Sequence, residues 1–241
     1  MHLLDHPSTA VILSGGAGSR LRPLTNDIPK GLVKVANKPL LQWVIEWLKV
    51  NGVTDLVIGV AYLKEKITRY FGNGSRFGAS IRYSVHSVEG GTGEGFRLAV
   101  SRYVNDDCFF ALNGDQITDL NLMAMYRLHA RGDAMATLAV VHPRLPFGLV
   151  LTDREGYCTG FQEKPLMENI YSSSGVYVFQ RSILAHLPVK GDVEKTTFPR
   201  LAKKRKLKAY IHKGSFTTVN SLRELEEADR EMQGVARKRR R

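Results

Sequence analysis

Apolar positions along the chain fall into two patterns that take turns. Continuous apolar runs at 10–13 and 55–61 read as strands buried on both faces, as a parallel sheet covered by helices requires. Between them, residues 39–50 place Leu41, Val44, Ile45 and Leu48 on one helical face, opening on Pro39 and stopping at Asn51-Gly52. The alternation goes on with a helix at 64–71, a strand at 80–86, a helix from the glycine run at 89–95 to Val104, and a strand at 107–112. Strands and helices alternating at this spacing predict an α/β fold, a Rossmann-like doubly wound and mostly parallel sheet. Past about residue 135 the pattern shifts to strands at 135–141, 148–152, 157–162 and 170–179, with a turn at Asp153-Arg-Glu-Gly156. Helices return at 181–186, 194–204 and 221–233. The same sheet is expected to continue here, carrying a strand-rich insertion able to close over a substrate.

Composition narrows the class. A chain of 241 residues, 43% hydrophobic and 24% charged, suits one α/β unit with an ordinary core. No apolar run approaches the ~18 residues of a membrane span, and the start MHLLDHPSTA lacks the basic and apolar regions of a secretory signal. Cys108 and Cys158 both fall in expected strands and read as buried free thiols, and no Cys/His cluster suggests zinc. A cytoplasmic location is expected. The net charge of +12 draws on the basic runs at 203–206 and 237–241. The second run has no apolar positions to pack and is expected to fray, as a flexible basic tail over 235–241. It reads as a solvated end first and a contact for acidic partners or nucleic acid second; no aromatics interleave with it, as single-strand binding would want.

Candidate chemistry starts where the first strand ends. Leu13 runs into Gly15, Gly16 and Gly18, whose backbone N–H groups can approach an anion with no Cβ in the way. Arg20 follows, a planar cation suited to phosphate oxygens. The loop matches neither the P-loop pattern nor G-x-G-x-x-G with a later acid, so it is either a tight turn or a triphosphate cradle. Arg20, Arg22 and Pro29-Lys30 favour the cradle. Asp115 follows the strand at 107–112 directly, placed either to hold Mg²⁺ at the sheet's carboxyl edge or to cap the helix beginning near Leu120. Glu163-Lys164 ends another apolar strand, where a solvated pair is the plain alternative.

In order along the chain, Gly15-Gly-Ala-Gly-Ser-Arg-Leu-Arg-Pro-Leu-Thr25, Pro29-Lys30, Gly91-Thr92-Gly93, Asn113-Gly114-Asp115 and Glu163-Lys164-Pro165 resemble the sugar-1-phosphate nucleotidyltransferase family, over about residues 8–230. The resemblance implies transfer of a nucleotidyl group from an NTP to a sugar 1-phosphate, with Mg²⁺ as cofactor and pyrophosphate leaving. It divides a single domain over 1–234 into a nucleotide-binding half, about 8–134, and a sugar-binding half, about 135–220. It implies that Leu13, the glycines, Arg20, Lys30, His86, Glu89, Gly91, Thr92 and Asn113 hold the nucleotide. Gly148, Glu163, Lys164, Ser173 and Glu194 would hold the sugar phosphate, and Arg20, Lys30, Asp115 and Lys164 would carry the chemistry. The forms Asn113-Gly-Asp115 and Gly91-Thr-Gly resemble guanylyltransferases for mannose or heptose phosphates. Uridylyl, thymidylyl or cytidylyl transfer is the alternative.

Three departures bear on that expectation. Where family members often carry Trp-x-Asp-x-Gly, this chain has Phe216-Thr-Thr-Val-Asn220, so Thr218 stands in the Asp place. Asn220 is then either the second metal ligand, as in N-acetylglucosamine-1-phosphate uridylyltransferases, or an N-cap for the helix at 221–233. Ser172-Ser-Ser174 replaces a common sugar-contacting Asn. His86 takes the place of a base-reading Gln, leaving Glu89 to accept from guanine N–H groups. Glu194 suits either the sugar or the start of a helix. No hexapeptide repeat announces a left-handed β-helix half, and a homo-oligomer stays open. Thr218 also motivates a rival reading, a silent homologue that binds nucleotide sugar and regulates a partner.

Overall fold

The computed structural model describes residues 6–238, with side chains as far as 234. Its elements are, in order, β1 (Thr9–Leu13), β2 (Lys34–Val35), β3 (Lys38–Pro39), α1 (Leu40–Val50), β4 (Asp55–Val60), α2 (Lys64–Phe71), β5 (Ser80–Val85), α3 (Gly91–Tyr103), β6 (Cys108–Asn113) and β7 (Gln116–Thr118). Then come α4 (Leu122–Ala130), β8 (Ala136–Val141), β9 (Leu149–Thr152), β10 (Cys158–Gln162), β11 (Ser172–Gln180), α5 (Thr197–Lys203), β12 (Leu207–Ile211), β13 (Phe216–Thr218) and α6 (Leu222–Lys238). Seven strands form one sheet in the order β12-β8-β11-β6-β1-β4-β5. All neighbours are parallel except β11, which runs antiparallel to both β6 and β8.

The apolar runs are explained by burial on both faces. On β1, Ala10 and Ile12 pack with Leu41, Val44, Ile45 and Leu48 of α1, while Val11 points the other way to Phe96, Ala99 and Val100 of α3. The same alternation splits Ile58 from Val57 on β4 and Leu112 from Ala111 on β6. Helices on both sides leave no polar face to these strands, so they cannot alternate in sequence. From β1 the chain winds outward to β4 and β5, then returns across the sheet to β6 on the other flank of β1. Leu13 therefore pairs with Gly59 on one side and Asn113 on the other. This is a topological switch point, and the crevice beyond the carboxyl ends of β1 and β6 is where open α/β sheets place ligands.

A third apolar cluster lies under α6: Leu21, Val35, Leu40, Val219 and Ala228. It joins the loop after β1 to the segment after β13. The Asp229 carboxylate fastens the helix further by accepting from the Ala36 N–H at 2.6 Å.

The structure corrects several expectations. Among the described residues, β9 and β10 pair only with each other and stand apart from the main sheet. Both of their faces meet solvent, so Cys158 on β10 is exposed; Cys108, at the start of β6 in the main sheet, is only half-buried, so the two are not buried thiols. The short strands β7, β12 and β13 were not foreseen, and 181–186 is a 3-10 turn. α5 begins at Thr197, so Glu194 stands ahead of it. α4 is capped by Asn121, whose side chain accepts from the Ala124 N–H; Asp115 caps nothing there. α6 carries helical backbone through Lys238, into the stretch expected to fray; the rest of the basic run, 239–241, lies outside the described residues. No helix among the described residues is long and apolar enough to cross a membrane.

One buried group sets an acid limit. His129 is 2% exposed and its Nδ1 meets Thr137 Oγ1 at 2.8 Å. Burial, then the nearby Lys208 charge, pushes its imidazole down from the usual 6.5 to about 4. Below pH 6.5 the unfolded chain takes up a proton that the folded chain resists, so stability present above that pH is lost as pH falls toward 4. The full effect is about 3 kcal/mol. Urea midpoints measured from pH 7 to pH 4 should fall less in His129→Gln than in the wild type; parallel curves would show that His129 does not set the limit.

Candidate active site

Beyond the switch point lies a cleft of about 370 Å³, within the usual range for small-molecule sites. It is lined by Leu13, Gly15, Gly16, Gly18 and Arg20 from the first loop, and by Lys30 from the turn at Lys30–Leu32. His86, Gly91, Thr92, Asn113, Asp115 and Asn220 complete the residues that sequence reasoning had gathered. Ser14, Ser19, Gly31, Val88, Gly114 and Asp192 also line it and had been given no role.

Among the described residues, nothing accepts a hydrogen bond from the N–H groups of Gly15, Gly16, Ala17 or Gly18. Gly18 sits at φ +61 and opens the 3-10 turn that carries Arg20. A Cβ on Gly15 would lie 2.5 Å from the His86 ring, so this glycine is needed for His86 to fill the space beneath the loop. His86 Nδ1 lies 2.9 Å from the Ser87 carbonyl, which requires the proton on that nitrogen, and Nε2 is enclosed with no hydrogen-bond partner among the described residues.

The ionic centre is made by residues far apart in sequence. β7 and β13 pair antiparallel with Gln116 opposite Thr218, and Val219 N–H donates to the Asp115 carbonyl at 3.1 Å. This register sets Asp115 beside Asn220. Lys30 Nζ lies between them, 2.5 Å from Asp115 Oδ2 and 2.8 Å from Asn220 Oδ1, with its side chain only 17% exposed. Arg20 reaches the same Asn220 oxygen at 3.4 Å. The chain neighbours of those two residues, Leu21 and Val219, are fully buried in the cluster under α6, which fixes both approaches. Asn220 does not cap α6: Ser221 Oγ accepts from the Glu224 N–H at 3.3 Å, and Glu224 accepts from the Asn220 N–H at 2.6 Å. Thr218 stays in the β13 ladder and is not among the lining residues.

None of the expected sugar-side residues is in the cleft's lining, and their contacts put them in two sets, Gly148 with Glu163 and Lys164, and Ser173 with Glu194 about Tyr177. An added Cβ on Gly148 would lie 3.3 Å from Glu163 Oε2, and Glu163 Oε1 lies 3.4 Å from Lys164 Nζ. Lys164 holds a left-handed φ of +46, and its carbonyl accepts from Arg144 at 3.0 Å. Ser173 is exposed at the start of β11, its Oγ accepting from the Gly175 N–H at 3.3 Å. Gly175 (φ +76) passes so close to Asn113 that a Cβ would be 2.8 Å from its amide nitrogen. Glu194 accepts from Thr92 Oγ1 at 2.6 Å and from the Tyr177 hydroxyl at 3.3 Å, joining the nucleotide-side loop to β11. Burial first, and the Glu194 charge next, hold the Tyr177 hydroxyl above its ordinary range, so it stays a donor. Glu89 is exposed on the turn Val88–Gly90 and does not line the cleft.

A UTP–glucose-1-phosphate uridylyltransferase of Synechocystis is 32% identical over 80% of this chain and 54% of its own length. A mannose-1-phosphate guanyltransferase of Gibberella zeae is 34% identical over 87% of this chain and 60% of its own. The chain thus spans little more than half the length of these relatives. Among solved structures, HddC of Yersinia pseudotuberculosis superposes with a TM-score of 0.72 at 22% identity, covering 93% of this chain and 99% of that one, and shares the fold. The family described as Nucleotidyl transferase matches residues 9–230, nearly the whole chain, and to that family this protein belongs.

Proposed function

We propose that the chain transfers a nucleotidyl group from an NTP to a sugar 1-phosphate and releases pyrophosphate, with GTP and a mannose-like sugar phosphate as the favoured pair. The observation that carries this reading is the Lys30 ammonium held between Asp115 and Asn220, beside a glycine loop whose N–H groups are free for an anion. Relatives named for guanylyl transfer to mannose 1-phosphate support the substrate pair. A relative named for uridylyl transfer to glucose 1-phosphate makes UTP the second candidate.

Each residue then has a task. The N–H groups of Gly15, Gly16 and Gly18, with Arg20, bind the triphosphate and the departing pyrophosphate. Lys30 meets the charge that grows at the α-phosphate as it is attacked. On the acceptor side Lys164 takes the sugar's phosphate, and Gly148, Glu163, Ser173 and Glu194 surround its hydroxyls. The attacking phosphate oxygen is already ionised, so no general base is assigned. Orientation and charge neutralisation do the work.

Mg²⁺ suits the residues present. It takes oxygen ligands and commonly binds through one or two protein groups plus substrate phosphates. Asp115 and Asn220 supply one carboxylate and one amide oxygen, both within reach of a single cation, Lys30 Nζ. No cluster of three or more His, Cys, Asp or Glu side chains offers a fuller cage among the described residues. Asp115 and Asn220 would hold the ion, which when bound neutralises phosphate charge and keeps the reacting groups in line.

The test is pyrophosphate release with Mg²⁺ over GTP, UTP, CTP, ATP and dTTP against a panel of sugar 1-phosphates. Release with one matched pair is expected, GTP with mannose 1-phosphate first. Nucleotide-sugar binding with silence throughout the panel would replace the enzyme by the regulatory homologue. Lys164→Ala should raise KM for the sugar phosphate at least about tenfold more than KM for the NTP. Equal effects on both would remove Lys164 from the acceptor side.

A further inference from the structure

Among the described residues two carboxylates line the cleft, and one of them is claimed by the ionic centre. Asp192 is the other, on the wall made by Gly91 and Thr92. Its Oδ1 lies 3.4 Å from the Thr92 N–H and its Oδ2 2.9 Å from Lys195 Nζ. The side chain does not cap α5, which starts at Thr197 with Thr196 before it; its Oδ1 instead meets the first turn of α3, where Thr92 is the second residue.

The wall is built around this acid. Gly91 holds φ +73, and a Cβ there would come within 2.6 Å of Asp192 Oδ1, so a larger residue would push the carboxylate away. The loops on either side are fastened to each other. Gly191 N–H donates to the Gly90 carbonyl and Gly93 N–H to the Gly191 carbonyl, both at 2.8 Å, and Val193 N–H donates to Thr92 Oγ1 at 3.0 Å. Asp192 is therefore held at a fixed place on the cleft wall. The Lys195 ammonium, hydrogen-bonded to it, keeps its carboxyl below the usual range and so ionised. An ionised carboxylate accepts at about four lone-pair sites, and here two are engaged.

A fixed negative charge repels phosphates, so the part of an NTP that Asp192 faces is the uncharged one. We propose that Asp192 accepts a hydrogen bond from the nucleoside, from a ribose hydroxyl or the guanine amino group, and helps to decide which nucleotide the cleft takes. This rests on the nucleotidyl-transfer reading above. It also supplies on the cleft wall the acceptor that Glu89, lying outside the lining, does not.

The experiment is calorimetric titration of wild type, Asp192→Ala and Asp192→Asn with GTP, UTP, their 2′-deoxy and 3′-deoxy forms, and ITP, in Mg²⁺ without sugar phosphate. Asp192→Ala should weaken the better-bound of GTP and UTP by at least about tenfold, as loss of a hydrogen bond to a charged group does, with Asp192→Asn between. If the donor is a ribose hydroxyl, the wild type's preference for the ribonucleotide over one deoxy form disappears in Asp192→Ala. If it is the guanine amino group, the preference for GTP over ITP disappears while the deoxy penalty stays. A general loosening of the loop would weaken all ligands alike and leave these ratios unchanged, which would overturn the proposal. Unaltered affinity in both variants would overturn it too, leaving nucleotidyl transfer untouched. A wild type that binds neither GTP nor UTP would overturn both.

Discussion

Asp115→Ala is expected to lower kcat by at least about 10²–10³-fold, the scale seen when one charge-stabilising group leaves a preorganised site. Two losses combine. The site loses its one carboxylate donor next to Asn220, and Lys30 loses the partner 2.5 Å away that fixes its ammonium. Lys30 has little solvent to turn to, so the Asp115→Asn variant, which keeps the shape, should accompany the alanine to separate loss of charge from local collapse. Both variants should keep the fold, because Asp115 packs in none of the three apolar clusters. Turnover in Asp115→Ala within tenfold of wild type would remove this residue from the chemistry.

Lys30→Ala should cost kcat a similar factor while changing NTP affinity far less, because its charge is matched to the attacked phosphorus rather than to the ground-state tail. Lys30→Arg should not restore the rate. A planar guanidinium cannot present one compact charge to two oxygens at 2.5 and 2.8 Å in a site this enclosed. Because Lys30 and Asp115 act on each other, the double variant should be little worse than the worse single one. Additive losses, or a Lys30→Ala enzyme that keeps kcat and loses only NTP affinity, would assign Lys30 to binding alone.

What could be read from sequence followed the range of the interactions. β1, β4 and β6 were legible because burial on both faces leaves unbroken apolar runs, and α1 because its apolar residues recur at helical spacing. The glycine loop was legible because no other residue type allows its backbone to come so close to an anion. The pairing of β7 with β13 was not, since strands of three residues carry no periodicity and their partners lie about a hundred positions apart. That pairing brings Asn220 to Asp115, so sequence alone left Asn220 open between ligand and cap. β12, Leu-Lys-Ala-Tyr-Ile, was hidden behind the basic run that precedes it. Cys158 looked buried because it falls in an expected strand, yet among the described residues the only partner of β10 is β9. Asp192 gave no signal at all, because its place depends on a close approach between its loop and Gly91.

The most direct test of nucleotidyl transfer follows the α-phosphorus itself. GTP and UTP labelled at that position should be incubated with Mg²⁺ and mannose 1-phosphate or glucose 1-phosphate, and the labelled products separated. Attack at the α-phosphorus by the sugar phosphate predicts label in a nucleotide sugar, with one pyrophosphate released for each molecule formed. Label appearing instead in a nucleoside mono- or diphosphate, with the sugar phosphate unconsumed, would contradict it.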